Sequence, residues 1–276
     1  ISFTIVIYFL GIKELIKSNS YIYLSKFPWY LILDIKFRKL KLFIFAGGYG
    51  SRLGQVTENI PKPMVKIGEK PILWHIMKYY SFYGINEFVV LLGYKGRVIK
   101  DYFYNFPIND QDFTIDLKSG ETTFFNNNNP NWKVTLLDTG LDNLKGSRLH
   151  QAEKFMDDVN LLTYGDGLSD INLKELINFH LNHQKSVTIS GVRPPSRFGE
   201  LLTNNDDVIS FEEKPQISKG FINGGFMVFN KRILDYLNSD KSCDFEFGPL
   251  EKLAKQKEIK IFKHVDSWEC IDTQRD

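Results

Sequence analysis

From Lys41 onward the chain alternates short apolar runs with longer segments in which apolar residues recur every three to four positions. Leu42 to Phe45, Glu87 to Leu92, Lys133 to Leu137, Asn160 to Thr163 and Ser186 to Val192 predict strands. Several are apolar throughout, as strands buried on both faces tend to be. Between them Pro71 opens a helix that Gly84 closes, and Lys95 to Phe103, Ser147 to Phe155 and Asn172 to His183 carry the helical period. Strands alternating with helices predict an α/β, Rossmann-like fold, a mostly parallel sheet with helices on both faces. Ligands in such folds sit beyond the carboxyl ends of the strands. Further on, Glu200 to Thr203, Val208 to Phe211 and Phe221 to Phe229 are shorter and rich in turn residues. They predict a smaller mixed β region that closes over the first part and holds a second substrate. Asn126 to Asn129, before Pro130, reads as an exposed loop tip.

A chain of 276 residues, 43% of them hydrophobic, can bury a full core as one large domain. Its net charge of +2 offers no electrostatic case for nucleic acid, and the cluster Lys36, Arg38, Lys39, Lys41 reads as a solvated stretch. Cys243 and Cys270, the two cysteines present, lack the number and spacing of a disulfide framework or zinc site and point to a reducing cytoplasm. His75, His150, His180, His183 and His264 show no catalytic or metal spacing and are expected to be structural. The first 39 residues differ in texture. Ile1 to Gly11 is apolar but short of the roughly 20 residues that span a bilayer. It also lacks the basic flank and small-residue cleavage site of a signal peptide.

The candidate chemistry concentrates at Phe43-Ile44-Phe45-Ala46-Gly47-Gly48-Tyr49-Gly50-Ser51-Arg52-Leu53, followed by Pro61-Lys62-Pro63. An apolar strand delivers the chain to Gly47, Gly48 and Gly50, whose missing Cβ atoms let backbone N–H groups wrap phosphate oxygens. Arg52 adds a planar fork of donors, and Lys62 is held between two prolines of fixed φ. Competing motifs fail on spacing. No Gly-Lys-Ser/Thr follows at Walker distance, Gly54 comes one residue late for a dinucleotide fingerprint, and no acidic residue ends a second strand where ribose recognition needs it.

These residues resemble the sugar-phosphate nucleotidyltransferases, whose signature is a strand, Ala-Gly-Gly-x-Gly-Ser/Thr-Arg-Leu and a later Pro-Lys-Pro-Met. The chain has Ala46 to Leu53 and Pro61-Lys62-Pro63-Met64. The likeness continues through Lys70 to Lys78, Gly84-Ile85-Asn86, Gly93-Tyr94-Lys95-Gly96, Asp138-Thr139-Gly140 and Tyr164-Gly165-Asp166-Gly167. It then takes in Arg197-Phe198-Gly199, Glu213-Lys214-Pro215, Ile222-Asn223-Gly224-Gly225-Phe226 and Asp272-Thr273. It therefore covers about Leu40 to the last residue. The resemblance implies a nucleotidyltransferase domain over 40–276 that lacks a further C-terminal segment. Residues 1–39 are then expected to be an unrelated or non-native extension, with the natural start near Leu40, the rival reading being a genuine membrane-surface appendage.

Nucleotidyl transfer joins a sugar 1-phosphate to the α-phosphate of a nucleoside triphosphate and expels pyrophosphate. The attacking oxygen is already anionic, so catalysis is expected to be positioning and electrostatic stabilisation rather than base chemistry. Asp166 follows an apolar strand and is flanked by glycines, which suits a magnesium ligand at the sheet rim. Asp272 is singled out only by the resemblance, as the second ligand of Mg2+. The resemblance further implies that Arg52 and Lys62 are the catalytic cations and that Ala46, Gly47, Gly48, Gly50, Ser51 and Gly165 surround the nucleotide. Thr139, Gly146 and Arg148 are implied at the base and ribose, Lys214 at the sugar phosphate, and Glu213 with Asn223 and Gly224 at the sugar.

The resemblance is strongest to members that use CTP and glucose 1-phosphate to make CDP-glucose for surface polysaccharide, and it implies Mg2+ as cofactor and a homo-oligomer; a cytoplasmic protein with neither nucleic acid nor membrane as partner is expected. The Gly-Leu-Ala-Gln stretch typical of thymidylyl enzymes is missing, which favours cytosine, although Lys145-Gly146-Ser147-Arg148-Leu149 departs from the usual Thr-Gly-Gly-Arg-Leu. The residues themselves leave open a sibling that uses UTP, dTTP or GTP, and a nucleotide-binding remnant without turnover.

Overall fold

The computed structural model describes residues 40–54, 56–125, 129–193, 200–204, 207–212 and 220–273, with the backbone alone at 52, 56, 200–204 and 212. The expectations for residues 1–39, Asn126 to Asn128, Arg197 to Gly199, Glu213 and Lys214 lie outside the described residues. Among the described residues no helix is long and apolar enough to cross a membrane.

Among the described residues seven strands form the central sheet: β1 (Lys41–Ala46), β2 (Glu87–Leu92), β3 (Lys133–Asp138), β4 (Val159–Tyr164), β5 (Val187–Val192), β6 (Ile222–Asn230) and β7 (Ile259–Lys263), in the order β7-β5-β6-β4-β1-β2-β3. β1 pairs in parallel with β2 and β4, β2 with β3, and β5 with β7, whereas β6 runs antiparallel to both β4 and β5. The alternation of strand and helix thus yields the mostly parallel α/β sheet expected of it. Helices α1 (Ile72–Phe82), α2 (Gly96–Tyr104), α3 (Lys145–Gln151) and α4 (Leu173–His183) lie close to their predicted bounds. The predicted Ser147 to Phe155 helix breaks after Gln151 into a short 3₁₀ turn. Asn172 caps α4, its side chain accepting from the N–H groups of Lys174 and Glu175.

Both faces of β1 are buried, which is why its sequence is apolar without alternation. On one face Phe43 and Phe45 pack with Leu162, Met227 and Phe229 under Leu149 and Ala152. On the other, Tyr80 of α1 stacks on Phe226, ring centroids 5.9 Å apart. Full burial of each such aromatic contributes about 2–3 kcal/mol.

Phe221 to Phe229 belongs to the main sheet and not to a separate β region. Phe226 to Phe229 are all buried between β4 and β5, an interior position that the turn-like Asn223-Gly224-Gly225 conceals in the sequence. The strands Glu200–Asn204 and Asp207–Glu212 do stand apart, as a two-stranded antiparallel hairpin.

Candidate active site

β4, β1, β2 and β3 are neighbours, and the segments that leave the carboxyl ends of β1, β3 and β4 border one cleft of about 590 Å³. Its walls are Ala46 to Ser51 after β1, Leu141 to Lys145 after β3, Tyr164 to Asp166 at the end of β4, and Lys62 with Pro63. Of the expected nucleotide cradle, Ala46, Gly47, Gly48, Gly50, Ser51 and Gly165 all line it.

The glycines have different reasons to be there. Gly50 has φ +64°, the left-handed region, and a Cβ would fall 2.9 Å from the Lys62 Cβ. Gly48 faces open space, where an added Cβ would meet nothing within 4 Å. No packing among the described residues therefore requires glycine at 48, whereas close approach of a ligand to the backbone would. The loop is tied down by Thr57 Oγ1, which donates to the carbonyls of Gly50 and Gly54 at 3.1 Å each. Arg52 is the middle residue of a 3₁₀ turn, Ser51–Leu53, directly after the glycines.

Beneath the loop lies Arg148, 4% exposed. Its Nη1 donates to the Leu92 carbonyl, Thr139 Oγ1 and the Gly140 carbonyl at 2.9, 2.7 and 2.7 Å. Its Nη2 donates to the carbonyls of Gly47 and Leu141 at 3.2 and 3.0 Å. Burial pulls its pKa below the usual guanidinium value, with Asp138 and Tyr49 opposing. One fork thus joins the ends of β1, β2 and β3, and glycine at 47 and 93 is what admits it: a Cβ would lie 2.5 and 2.4 Å from Nη1. The expectation of base and ribose contacts changes accordingly. Thr139 is 1% exposed and its hydroxyl donates to the Leu92 carbonyl. Gly146 is packed against residues 243–244, a Cβ falling 2.7 Å from Cys243 Sγ. Neither lines the cleft, whereas Arg148 does.

Lys62 sits in a 3₁₀ turn, Lys62–Met64, and is 7% exposed. Its Nζ donates at 2.6 Å to both Asp166 Oδ2 and Asp272 Oδ1. Burial works to lower its pKa, but the charge of Asp166 and the hydrogen bonds to Asp166 and Asp272 outweigh it and the net direction is upward. The ammonium is therefore a permanent cation. Asp272 is brought here by a short ladder in which Gly167–Ser169 pairs antiparallel with Trp268–Cys270, and Ile271 N–H donates to the Asp166 carbonyl at 3.0 Å. Gly165 makes room for this arrangement, since a Cβ would lie 2.8 Å from the Phe45 carbonyl and from Pro63 Cγ.

Ligand atoms of Asp166, Cys270 and Asp272 lie within 4.8 Å of one another. Burial, chiefly, pushes the Cys270 thiol up to about 12, so the charged ligands of the cluster are the two carboxylates. Two converging carboxylates fit a hard divalent cation, which takes one or two carboxylates and completes its shell with phosphate oxygens and water.

Asn223 and Gly224, on β6, connect to the cleft through Tyr164. Asn223 Nδ2 donates to Tyr164 Oη at 3.1 Å, and Gly224 is fixed by close packing, a Cβ falling 2.6 Å from Val192 Cγ1. The sequence reading assigned no role to Tyr164, Lys145, Glu246 or Cys270. Tyr164 and Lys145 stood inside quoted motifs, whereas Glu246 carries no local signal.

A family model described as nucleotidyl transferase matches residues 41–269. The chain is 44% identical over 237 residues, 86% of its length and 92% of the relative's, to a protein of Bacillus subtilis (strain 168) named "Probable glucose-1-phosphate cytidylyltransferase". It is 43% identical over 239 residues, 86% of its length and 93% of the relative's, to the glucose-1-phosphate cytidylyltransferase of Salmonella typhimurium. Among solved structures it is similar to HddC from Yersinia pseudotuberculosis complexed with GMP-PN, with a TM-score of 0.59 and 27% identity, covering 86% of this chain and 95% of that one.

Proposed function

The chain belongs to the nucleotidyl transferase family, and on that premise we propose that it joins CTP and glucose 1-phosphate to give CDP-glucose and pyrophosphate. The observation that carries the reaction class is the meeting of the glycine loop, Lys62 and the Asp166–Asp272 pair at one cleft. The names of the two bacterial relatives supply the base and the sugar.

Enzymes of this family generally use a divalent metal. Magnesium is the ion we assign, held by Asp166 and Asp272, where it would supply charge neutralisation for phosphate oxygens. The chain's own residues do the rest. The backbone of Gly47 to Ser51 cradles the triphosphate, with Gly48 leaving the approach open. Lys62, charged at every working pH, offsets negative charge on the α-phosphate and on the departing pyrophosphate. To Arg52 we assign the same phosphates, to Lys214 the sugar phosphate, and to Glu213, with Asn223 and Gly224, the sugar. An oxygen of glucose 1-phosphate forms a bond to the α-phosphorus as the bond to the bridging oxygen breaks, and pyrophosphate leaves with the electron pair. No proton has to move, so alignment and charge are the whole task. The product is an activated sugar for polysaccharide assembly, and the working form is a cytoplasmic homo-oligomer.

Pyrophosphate release with glucose 1-phosphate and magnesium, compared across CTP, UTP, dTTP and GTP, tests this reading. Release with CTP alone is expected. Release with another nucleotide instead would move the chain to a sibling specificity, and silence from a folded sample with all four would leave a nucleotide-binding protein without turnover.

A further inference from the structure

Asn223 is tied to the cleft through its neighbours. Its Oδ1 accepts from the Gly225 N–H at 2.9 Å, and its Nδ2 donates to Tyr164 Oη at 3.1 Å. Tyr164 Oη in turn donates to Glu246 Oε1 at 2.6 Å, and Lys145 Nζ lies 2.6 Å from the same oxygen and 5.3 Å from the centroid of the Tyr164 ring. Gly225 has φ +83°, and a Cβ there would lie 2.6 Å from Tyr164 Cδ2, so β6 runs directly against the ring.

The direction of each hydrogen bond follows from chemistry. A backbone N–H cannot accept, so the Asn223 atom facing Gly225 must be the oxygen and the other terminal atom the nitrogen. A carboxylate only accepts, so the single phenolic hydrogen goes to Glu246 and the Tyr164 lone pairs are left to receive Asn223. Lys145 only donates, which again requires Glu246 to accept. Burial first, and then the Glu246 carboxylate, raise the pKa of Tyr164, so the phenol keeps the proton this pattern needs. One Nδ2 hydrogen of Asn223 is left over, on an exposed residue beside a tyrosine that lines the cleft.

We infer that Tyr164 and Glu246 are positioning residues that lock the Asn223 amide so that it presents an N–H donor, and never its carbonyl oxygen, to an acceptor oxygen of the sugar 1-phosphate. The inference rests on the reading of Asn223 as a sugar contact. Lys145, which also borders the nucleotide side of the cleft, anchors the far end of the chain, so the orientation of the sugar-side donor is set by groups across the cleft floor. Removing the tyrosine hydroxyl leaves the amide held by the Gly225 N–H alone, and sugar binding weakens while nucleotide binding does not.

The test is steady-state kinetics with glucose 1-phosphate and CTP on Asn223→Ala, Tyr164→Phe, Glu246→Ala and the double variant Tyr164→Phe/Asn223→Ala. Tyr164→Phe and Glu246→Ala are each expected to raise KM for glucose 1-phosphate about tenfold, the loss of one hydrogen bond, with KM for CTP unchanged. The double variant is expected to be no worse than Asn223→Ala alone, because the hydroxyl acts only through that amide. A wild-type KM for glucose 1-phosphate in Tyr164→Phe and Glu246→Ala, or penalties that multiply in the double variant, would overturn the inference. Should Tyr164→Phe not fold, Glu246→Ala carries the same comparison. An unchanged KM in Asn223→Ala would overturn the sugar contact itself, and the inference with it, a failure separate from that of the relay.

Discussion

Lys62 Nζ lies 2.6 Å from Asp166 Oδ2, although 104 residues separate the two in the chain, and its second partner, Asp272, is 210 residues away. The bridge joins the Pro-Lys-Pro turn, the end of β4 and the C-terminal ladder at one point. It places a permanent cation where a triphosphate must be neutralised, and it holds together two carboxylates that would otherwise repel.

Lys62→Met keeps the stem and removes the charge. Breaking a buried pair costs about 3–5 kcal/mol. The lower end applies here, because the Asp166 side chain is 26% exposed. Urea denaturation at neutral pH checks this. Turnover is expected to fall on the order of 100-fold or more, as for loss of a preorganised electrostatic donor. The folded pKa of Lys62 is raised, so the bridge stabilises fully below the unfolded value of 10.5 and is lost as pH climbs through the higher folded value.

Arg148→Lys replaces a fork that meets five acceptors with a point charge that cannot reach them all. Stranded carbonyls at the ends of three strands are expected to cost roughly 2 kcal/mol, a fall in Tm of about 4–8 °C for a domain of this size. KM for the nucleotide rises as well, since Gly47 and Leu141 both border the cleft. Thermal melts and nucleotide titration on one sample read both effects.

His180 is 1% exposed, bonds Thr188 Oγ1 at 2.9 Å and is held neutral, its pKa lowered from 6.5 to about 4, first by burial and then by His183. The unfolded chain therefore takes up a proton that the fold refuses. This contribution is complete above pH 6.5 and is lost as pH falls toward about 4, by roughly 3 kcal/mol over the window. Chemical denaturation between pH 7.5 and 4.5 is expected to show a shallower pH dependence in His180→Gln than in the native chain.

What the sequence made legible was local. β1, the glycine loop, the Pro-Lys-Pro turn and Asp166 each announce themselves within a few residues, because an apolar run, a missing Cβ and a fixed φ act where they stand. Asp272 has no such mark, since it reaches the site through a three-residue ladder to Gly167–Ser169. Arg148 showed its presence but not its task, because a guanidinium that binds phosphate and one that binds carbonyls look alike in one dimension. β7 was missed since Lys260 and Lys263 interrupt its apolar residues, as an edge position allows. Glu246 became visible only once the fold had carried it to Tyr164.

On the reading proposed above, Asp166 and Asp272, bridged by Lys62, are the carboxylates through which the enzyme uses its metal. The most direct test is pyrophosphate formation from CTP and glucose 1-phosphate across a magnesium titration, for the native chain, Asp166→Ala and Asp272→Ala, with circular dichroism to establish that each is folded. Native activity is expected to depend on magnesium, and both folded variants are expected to lose about 100-fold or more, a loss that added magnesium does not restore. Near-native turnover in Asp166→Ala would contradict it.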